Sequence, residues 1–442
     1  MGISPNDYSL FLKKFLEGMS KIKGVFLGFN TNIDAIVHLE KNVSLLESLF
    51  ETCEDVPQFL PEKINTLGDL KRWLIEGVKN GKSAEVITWN SEIQDFFMKH
   101  AKDFEMCVGG PPGIVGNILT RFSIDVIIHV PSRSKRQIEV LEKSLKIIED
   151  GKIQKISAKE CDKDLIHWIL EYPRGFSINA CGDVYSAPRE NRLIVSYDDL
   201  NTRFYIDPEY LENVDLLSKN VSHAIISGHH LLTPETNYRE ALKRGEEFIK
   251  TLKEGGVKTH TEIAYTAYKD VRKEISKRIL SNVNSIGINE VELGLFLSEY
   301  DNSLGESILK NITYENITHA LALLIEKTSV DRVQFHTYGL YIEAVRKDGI
   351  YGKTSSECLM VASAFAAIKA HYGDIHPEKC LVPTNVFVYD KYVDLAKKIS
   401  TTIIDDVFFA AIPTLIVPNP RSTVGLGDTI STFGFLAREV FR

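Results

Sequence analysis

Short apolar runs alternate with amphipathic stretches along most of this chain. The run Val25–Leu27 is β-type and passes into Gly28, Asn30 and Asn32, which reads as a buried strand feeding a functional turn. Runs of the same kind occur at Ile124–Val130, Arg192–Tyr197, His223–Gly228, Ser285–Asn289, Arg332–Thr337 and Thr414–Asn419. Between them, "NYREALKRGEEFIKTLKE", "LMVASAFAAIKAHYG" and the C-terminal "GDTISTFGFLAREVF" carry helical patterns. From about residue 220 onward strand and helix alternate, which predicts a parallel sheet covered by helices.

Two stretches break this rhythm. Lys41–Lys102 and Ser132–Asn213 are richer in charge, and the second holds short alternating segments such as "FSINACGDVYSAPRENRLIVSYDDLNTRFYID". They predict a smaller lid domain, discontinuous in sequence and inserted into the α/β core. The expected division assigns residues 1–38, 105–131 and 214–442 to the large domain, and 39–104 and 132–213 to the lid.

Composition narrows the function classes. A chain of 442 residues suggests about two or three domains. The net charge of -8 argues against a sequence-independent nucleic-acid binder but leaves room for a local basic pocket that holds a phosphorylated metabolite. The first residues are amphipathic and carry acids, unlike a signal peptide, and no apolar run approaches the ~20 residues of a membrane span. The six cysteines are scattered without a C-x-x-C pair, so cytoplasmic thiols are expected. Small molecules, rather than nucleic acid or membrane, are the expected partners.

Several motifs carry chemistry. "CVGGPPGIVGNIL" sets glycines before a helix, where exposed N–H groups suit a sugar hydroxyl or a phosphate; a rigid turn is the plainer reading. "GVKNGKS" is one residue short of a Walker A loop and follows a helical pattern where a strand is required, so it is not a P-loop. In "STVGLGDTIS", Gly425 and Gly427 form a turn and Asp428 opens a helix. The free N–H groups of such a terminus stabilise charge on a phosphoryl group in transfer, and the aspartate can accept a proton from an attacking hydroxyl or merely cap the helix. "THTEIA" supplies Glu262 and "GINEVEL" supplies Asn289 and Glu292, carboxylates at strand ends that suit a hard cation on nucleotide phosphates. "GFNTNIDAI" offers Asn32 and Asp34 as a clamp for polyol hydroxyls, or as an Asx turn.

Taken in order, these motifs, with "IISGHHLL" and "RVQFHTYGLYI", resemble the archaeal ADP-dependent sugar kinases, the glucokinases and phosphofructokinases of the ribokinase-like superfamily. The resemblance runs from Gly28 to the C-terminus. It implies a doubly wound, mostly parallel α/β domain with helices on both faces, and a β-rich lid that closes over the sugar. It implies ADP as phosphoryl donor and Mg²⁺ or another divalent cation. Asp428 would be the base, and the backbone around Gly425 and Gly427 the anion hole. Glu262 and Glu292, with Asp428, would organise the metal. Asn289, His336, Val424 and Gly427 would lie at the nucleotide, while Asn32, Asp34, Gly109 and Gly110 would bind the sugar. Glu85 looks like the glutamate of glucose-phosphorylating members. Arg203 looks like the lid arginine that approaches the nucleotide phosphates or the sugar phosphate and would count among the catalytic residues, and Arg174 and Asn179 resemble contacts to a sugar phosphate; with Glu85 present too, this points to use of both glucose and fructose 6-phosphate. The alternatives are a glucokinase alone, an ATP-dependent ribokinase-type kinase of another small alcohol, and a non-catalytic sugar-binding protein, which would be expected to lose the base.

Overall fold

Two principal sheets organise the computed structural model, which describes residues 3–264, 266 and 268–441. The larger has eleven strands. Its centre runs parallel through Val126–Ile128, Val25–Gly28, His223–Ile226, Lys258–Glu262, Ser285–Ile288 and Arg332–Thr337. These strands are near-continuous apolar runs because helices cover both faces. Leu242, Phe248 and Ile249 of the helix Tyr238–Glu254 pack in the core on one side. Phe365 of the helix Ser356–Tyr372 and Phe433 of the helix Leu426–Val440 pack on the other, their rings stacked 3.5 Å apart.

Beyond Arg332–Thr337 the parallel expectation fails. Leu340–Arg346 returns antiparallel, followed by Val407–Pro413 and Ile403–Ile404. Only Tyr338 and Gly339 separate the first two of these strands, a connection too short for a parallel crossover. Of the run Thr414–Asn419, only Leu415–Ile416 is strand, and it pairs with Phe387–Val388 outside the large sheet.

The second sheet has five strands in the order Ala84–Thr88, Asn191–Tyr197, Ile166–Tyr172, Asn32–His38 and Glu105–Gly109. Strict alternation gives it one apolar face, with Ile33, Ala35, Val37, Trp168, Leu170, Leu193 and Val195 packed on Leu70, Leu74 and Val78 of the helix Leu67–Asn80. Asn32, Asp34, His38, His167, Glu171 and Arg192 therefore occupy the other face. Two strands of this sheet, Asn32–His38 and Glu105–Gly109, fall in segments assigned above to the large domain. Conversely, Lys146–Glu149 and Lys152–Lys155, assigned to the lid, extend the large sheet at its edge. Their charge comes from that edge position, where most of the last strand is exposed, and not from lid membership.

The chain passes between the sheets four times, after Gly28, after Gly109, between Lys155 and Ile166, and after Tyr197. The first passage is the shortest, Phe29 to Thr31. The Phe29 ring is fixed there among Phe26, Phe204, Phe248 and His129, with centroids 5.1 to 5.8 Å away. The expectation of thiols needs one correction: Cys53 and Cys181 form a disulfide between the segment before Leu67–Asn80 and the hairpin turn after Ser177–Ala180. A separation of 128 residues hides that pairing from any spacing rule. Cys107, Cys161, Cys358 and Cys380 are free.

Candidate active site

The side of the cleft expected to take the acceptor is built on the lid strand Asn32–His38. Asn32 and Asp34 are side chains of that strand, not an Asx turn, and Asn32 Nδ2 donates to Asp34 Oδ1 at 2.7 Å. Asn32 pairs in register with Gly109, where a Cβ would stand 2.2 Å from both Asn32 Nδ2 and Asp34 Oδ1. Gly110 has a φ of +74°, and a Cβ on it would stand 1.8 Å from the carbonyl oxygen of Asn30. The two glycines thus keep the clamp open and start the helix Pro111–Arg121 beside it.

Glu85 joins this group. Its Oε1 accepts from Ser196 Oγ at 2.8 Å and lies 3.8 Å from His167 Nδ1. The other ring nitrogen of His167 lies 3.1 Å from Asp198 Oδ2. Burial opposes a charge on His167, but Asp198, Glu85 and Asp34 outweigh it and hold its pKa up to about 9. Asp34 is pushed above the usual carboxylate range by burial, with the His167 charge and the Asn32 hydrogen bond opposing.

The side expected to take the donor is built on strand ends and one helix N-terminus. Gly425, at φ +66°, caps the helix Leu426–Val440, and the N–H groups of Gly427 and Asp428 have no backbone partner among the described residues. Asp428 stands in the first turn, and its carboxylate forms no hydrogen bond with any described residue, so it caps nothing. Burial and the nearby Glu262 charge push its pKa up to about 6, against Lys369 and His336. The N–H of Val424 is turned inward, donating to Ser422 Oγ at 3.3 Å.

Glu262 ends the strand Lys258–Glu262, and Glu292 lies in the first turn of Glu290–Leu297. Asn289 caps that helix, accepting from the N–H groups of Val291 at 2.9 Å and Glu292 at 3.1 Å. Glu262 Oε1 meets His336 Nε2 at 2.7 Å. Glu262 Oε2 and Glu292 Oε2 are both buried with no hydrogen-bond partner among the described residues. Burial and Glu262 raise the Glu292 pKa to about 7. Two orphaned carboxylate oxygens fit a cation that would satisfy them. No group of three His, Cys, Asp or Glu side chains among the described residues forms a metal cage, so a cation here would depend on water and phosphate oxygens for its remaining ligands.

Glu262, Asp428, Pro111 and Pro112 line one small cavity, which joins the acceptor loop to the donor side. A second cleft of about 430 Å³ is lined by His38, Glu171 and Arg192 of the lid and by Thr423 of the segment before the last helix.

The conserved region described as ADP-specific phosphofructokinase/glucokinase matches residues 23–437. The chain belongs to this family. It is 35% identical to the ADP-dependent glucose/glucosamine kinase of Pyrococcus furiosus, over 98% of each chain. It is 30% identical to the ADP-specific phosphofructokinase of Thermococcus kodakarensis, over 95% of this chain and 96% of the relative. Among solved structures, an ADP-dependent kinase in complex with fructose 6-phosphate and ADPβS superposes with a TM-score of 0.79 at 27% identity, covering 100% of this chain and 99% of that one.

Within this family frame, the residues read from the sequence fall into two sets. Asn32, Asp34, Glu85, Gly109 and Gly110 converge on the lid side, and Glu262, Glu292, Asn289, His336, Gly425, Gly427 and Asp428 at the sheet edge. Arg174, Asn179 and Arg203 join neither set through a hydrogen bond or ion pair among the described residues. Arg174, in the turn before the hairpin Ser177–Ser186, and Asn179, within it, are exposed, and the Arg203 guanidinium lies 5.6 Å from the Trp89 ring. His167, Ser196, Asp198 and Arg192 were missed. Alternation along "IHWILEY" was the available signal for His167, since it stands on the face opposite Trp168.

His260 also differs from a simple motif reading. Its ring nitrogens are both engaged by hydroxyls, with Nδ1 2.9 Å from Ser285 Oγ and Nε2 2.5 Å from Ser431 Oγ. Arg332 extends this buried network to Ser285, Glu343 and Gln334, and Gln334 donates to the carbonyl of Ile430. The polar spine fastens the last helix to the sheet and so positions Asp428.

Proposed function

We propose that this protein is an ADP-dependent sugar kinase that transfers the β-phosphoryl group of ADP to a hydroxyl of glucose. The observation that carries this reading is the position of Asp428, whose carboxylate forms no hydrogen bond among the described residues, at a helix N-terminus whose Gly427 and Asp428 N–H groups have no backbone partner there, in a cavity lined also by Glu262, Pro111 and Pro112. Asp428 accepts the proton of the attacking hydroxyl, and the helix N-terminus holds the charge of the phosphoryl group. Asn32 and Asp34 hold the sugar across Gly109 and Gly110. Glu85, steadied by Ser196 and His167, accepts from a further hydroxyl and disfavours a phosphate ester near it. A bound Mg²⁺ supplies charge neutralisation on the phosphates, and Glu262 and Glu292 are the residues that would hold it. Closure of the lid excludes water, which limits hydrolysis of the donor.

A second reading, that fructose 6-phosphate is also an acceptor, is favoured by Arg192, which lines the cleft opposite Thr423 and suits a phosphate. Arg203, Arg174 and Asn179 would serve it after lid movement.

The test is a coupled assay with ADP or ATP against glucose and fructose 6-phosphate, using the wild type and Asp428→Ala. Turnover with ADP on glucose and its loss in the variant support the reading. Faster turnover with ATP than with ADP, or an active Asp428→Ala, sinks it.

A further inference from the structure

One buried charge takes no part in the reading above. Lys369, on the helix Ser356–Tyr372, is only 5 % exposed and forms no ion pair among the described residues. An ammonium has three donors. The one hydrogen bond Lys369 makes is a long one, Nζ to the carbonyl oxygen of Gly425 at 3.5 Å. A buried ammonium left so poorly satisfied costs several kcal/mol. Such a group is tolerated where an anion completes it.

The geometry says which anion. A Cβ built on Gly425 would stand 2.9 Å from Lys369 Nζ and 3.6 Å from Asp428 Oδ2, so ammonium and carboxylate face the same piece of backbone. That backbone is the cap whose helix leaves the N–H groups of Gly427 and Asp428 unpaired. Asp374, another acid near Lys369, is engaged by Arg121 at 2.5 Å. Nor is Lys369 needed to fasten the segment before the cap, since the N–H of Arg421 donates to the carbonyl of Ala370 at 2.7 Å.

We propose that Lys369 is a catalytic residue whose ammonium binds the transferring phosphoryl group alongside the N–H groups of Gly427 and Asp428. The proposal rests on the kinase reading for its chemistry. The acceptor oxygen forms a bond to the β-phosphorus and its proton passes to Asp428. The bond from the β-phosphorus to the bridging oxygen breaks, and that electron pair leaves with AMP. Lys369 keeps its proton throughout and supplies only charge.

The experiment compares the wild type with Lys369→Met, measuring kcat with ADP and the calorimetric affinities for ADP and for AMP, which lacks the transferred group. Loss of a donor of this kind lowers kcat about 100- to 1,000-fold. ADP affinity is expected to fall tenfold or more, while AMP affinity and the KM for sugar stay within threefold. A merely structural lysine predicts otherwise, with ADP and AMP binding falling together and Tm dropping. That result, or unchanged ADP binding and kcat, overturns the proposal. If Lys369→Met does not fold, Lys369→Gln gives the same comparison. A wild type that binds ADP but phosphorylates no sugar defeats the kinase reading alone, and the ADP-against-AMP comparison still decides Lys369.

Discussion

His336 Nε2 lies 2.7 Å from Glu262 Oε1, which leaves the other carboxylate oxygen, Oε2, buried and without a hydrogen-bond partner among the described residues. The histidine thus fixes the orientation of a carboxylate that, in the proposed site, would hold a cation. Removing an orienting partner of this kind costs about 10- to 100-fold in metal affinity. His336→Ala is expected to raise the Mg²⁺ concentration for half-maximal rate by that factor with kcat at saturation little changed. A Mg²⁺ titration of the rate, paired with calorimetry of Mg²⁺ binding in the presence of ADP, checks it.

As the proposed base, Asp428 would have to be ionised to take a proton, and its carboxyl is held up at about 6 by burial and Glu262. Below that value kcat/KM is expected to fall about tenfold per pH unit, and above it to level off. Asp428→Asn is expected to lose on the order of a thousandfold in kcat. The sign for stability is opposite. A folded-state value raised above the usual 3.8 means that stability present in acid is lost as pH rises from about 3.8 to 6. Asp428→Asn should therefore melt no lower than the wild type at pH 7, by calorimetry.

His167 gives a stability signature of the lid. Its folded pKa of about 9 lies above the ordinary 6.5, so its charged form stabilises the fold. That contribution, on the order of 3 kcal/mol, is full below about pH 6.5 and lost as pH climbs toward 9. The difference in Tm between wild type and His167→Gln should shrink across that window. A constant difference would place the stabilisation elsewhere.

Gly287 makes room for the Glu262 carboxylate. A Cβ there would stand 1.8 Å from Glu262 Oε2 and 2.0 Å from Ser431 Oγ. Gly287→Ala is expected to lower kcat at least as much as Glu262→Gln does. Its position in a buried strand should also cost roughly 1–3 kcal/mol through overpacking, read as a lower midpoint in urea.

The donor side was legible in the sequence because its parts are local. Gly425, Gly427 and Asp428 form one turn, and Asn289 and Glu292 share one helix start. Glu262 and His336 are also visible as polar ends of apolar runs, but their pairing is not. The acceptor side was half legible. Asn32 and Asp34 stand out as polar residues in an apolar run, whereas His167, Ser196 and Asp198 gain meaning only when three strands pair. Lid membership of the strands at residues 32 and 105 was hidden too, since pairing across the lid decides it and composition does not. The antiparallel edge of the large sheet was missed because "YIEAV" and "VFFAAIP" were not read as strands, although both are apolar and β-branched or aromatic.

In the proposed lid closure the passage Phe29–Thr31, the shortest of the four between the sheets, would be the fulcrum, with the proposed sugar clamp next to it. Asn32 and Asp34 follow the fulcrum directly, so a swing of the lid moves them through short arcs. The hairpin carrying Asn179 pairs with neither principal sheet and would travel farther in that closure. Acceptor contacts near the fulcrum can then form while the cleft is still open, whereas contacts from the hairpin would report closure. A fluorophore placed near residue 179 would sense the stroke, and one near residue 34 would not.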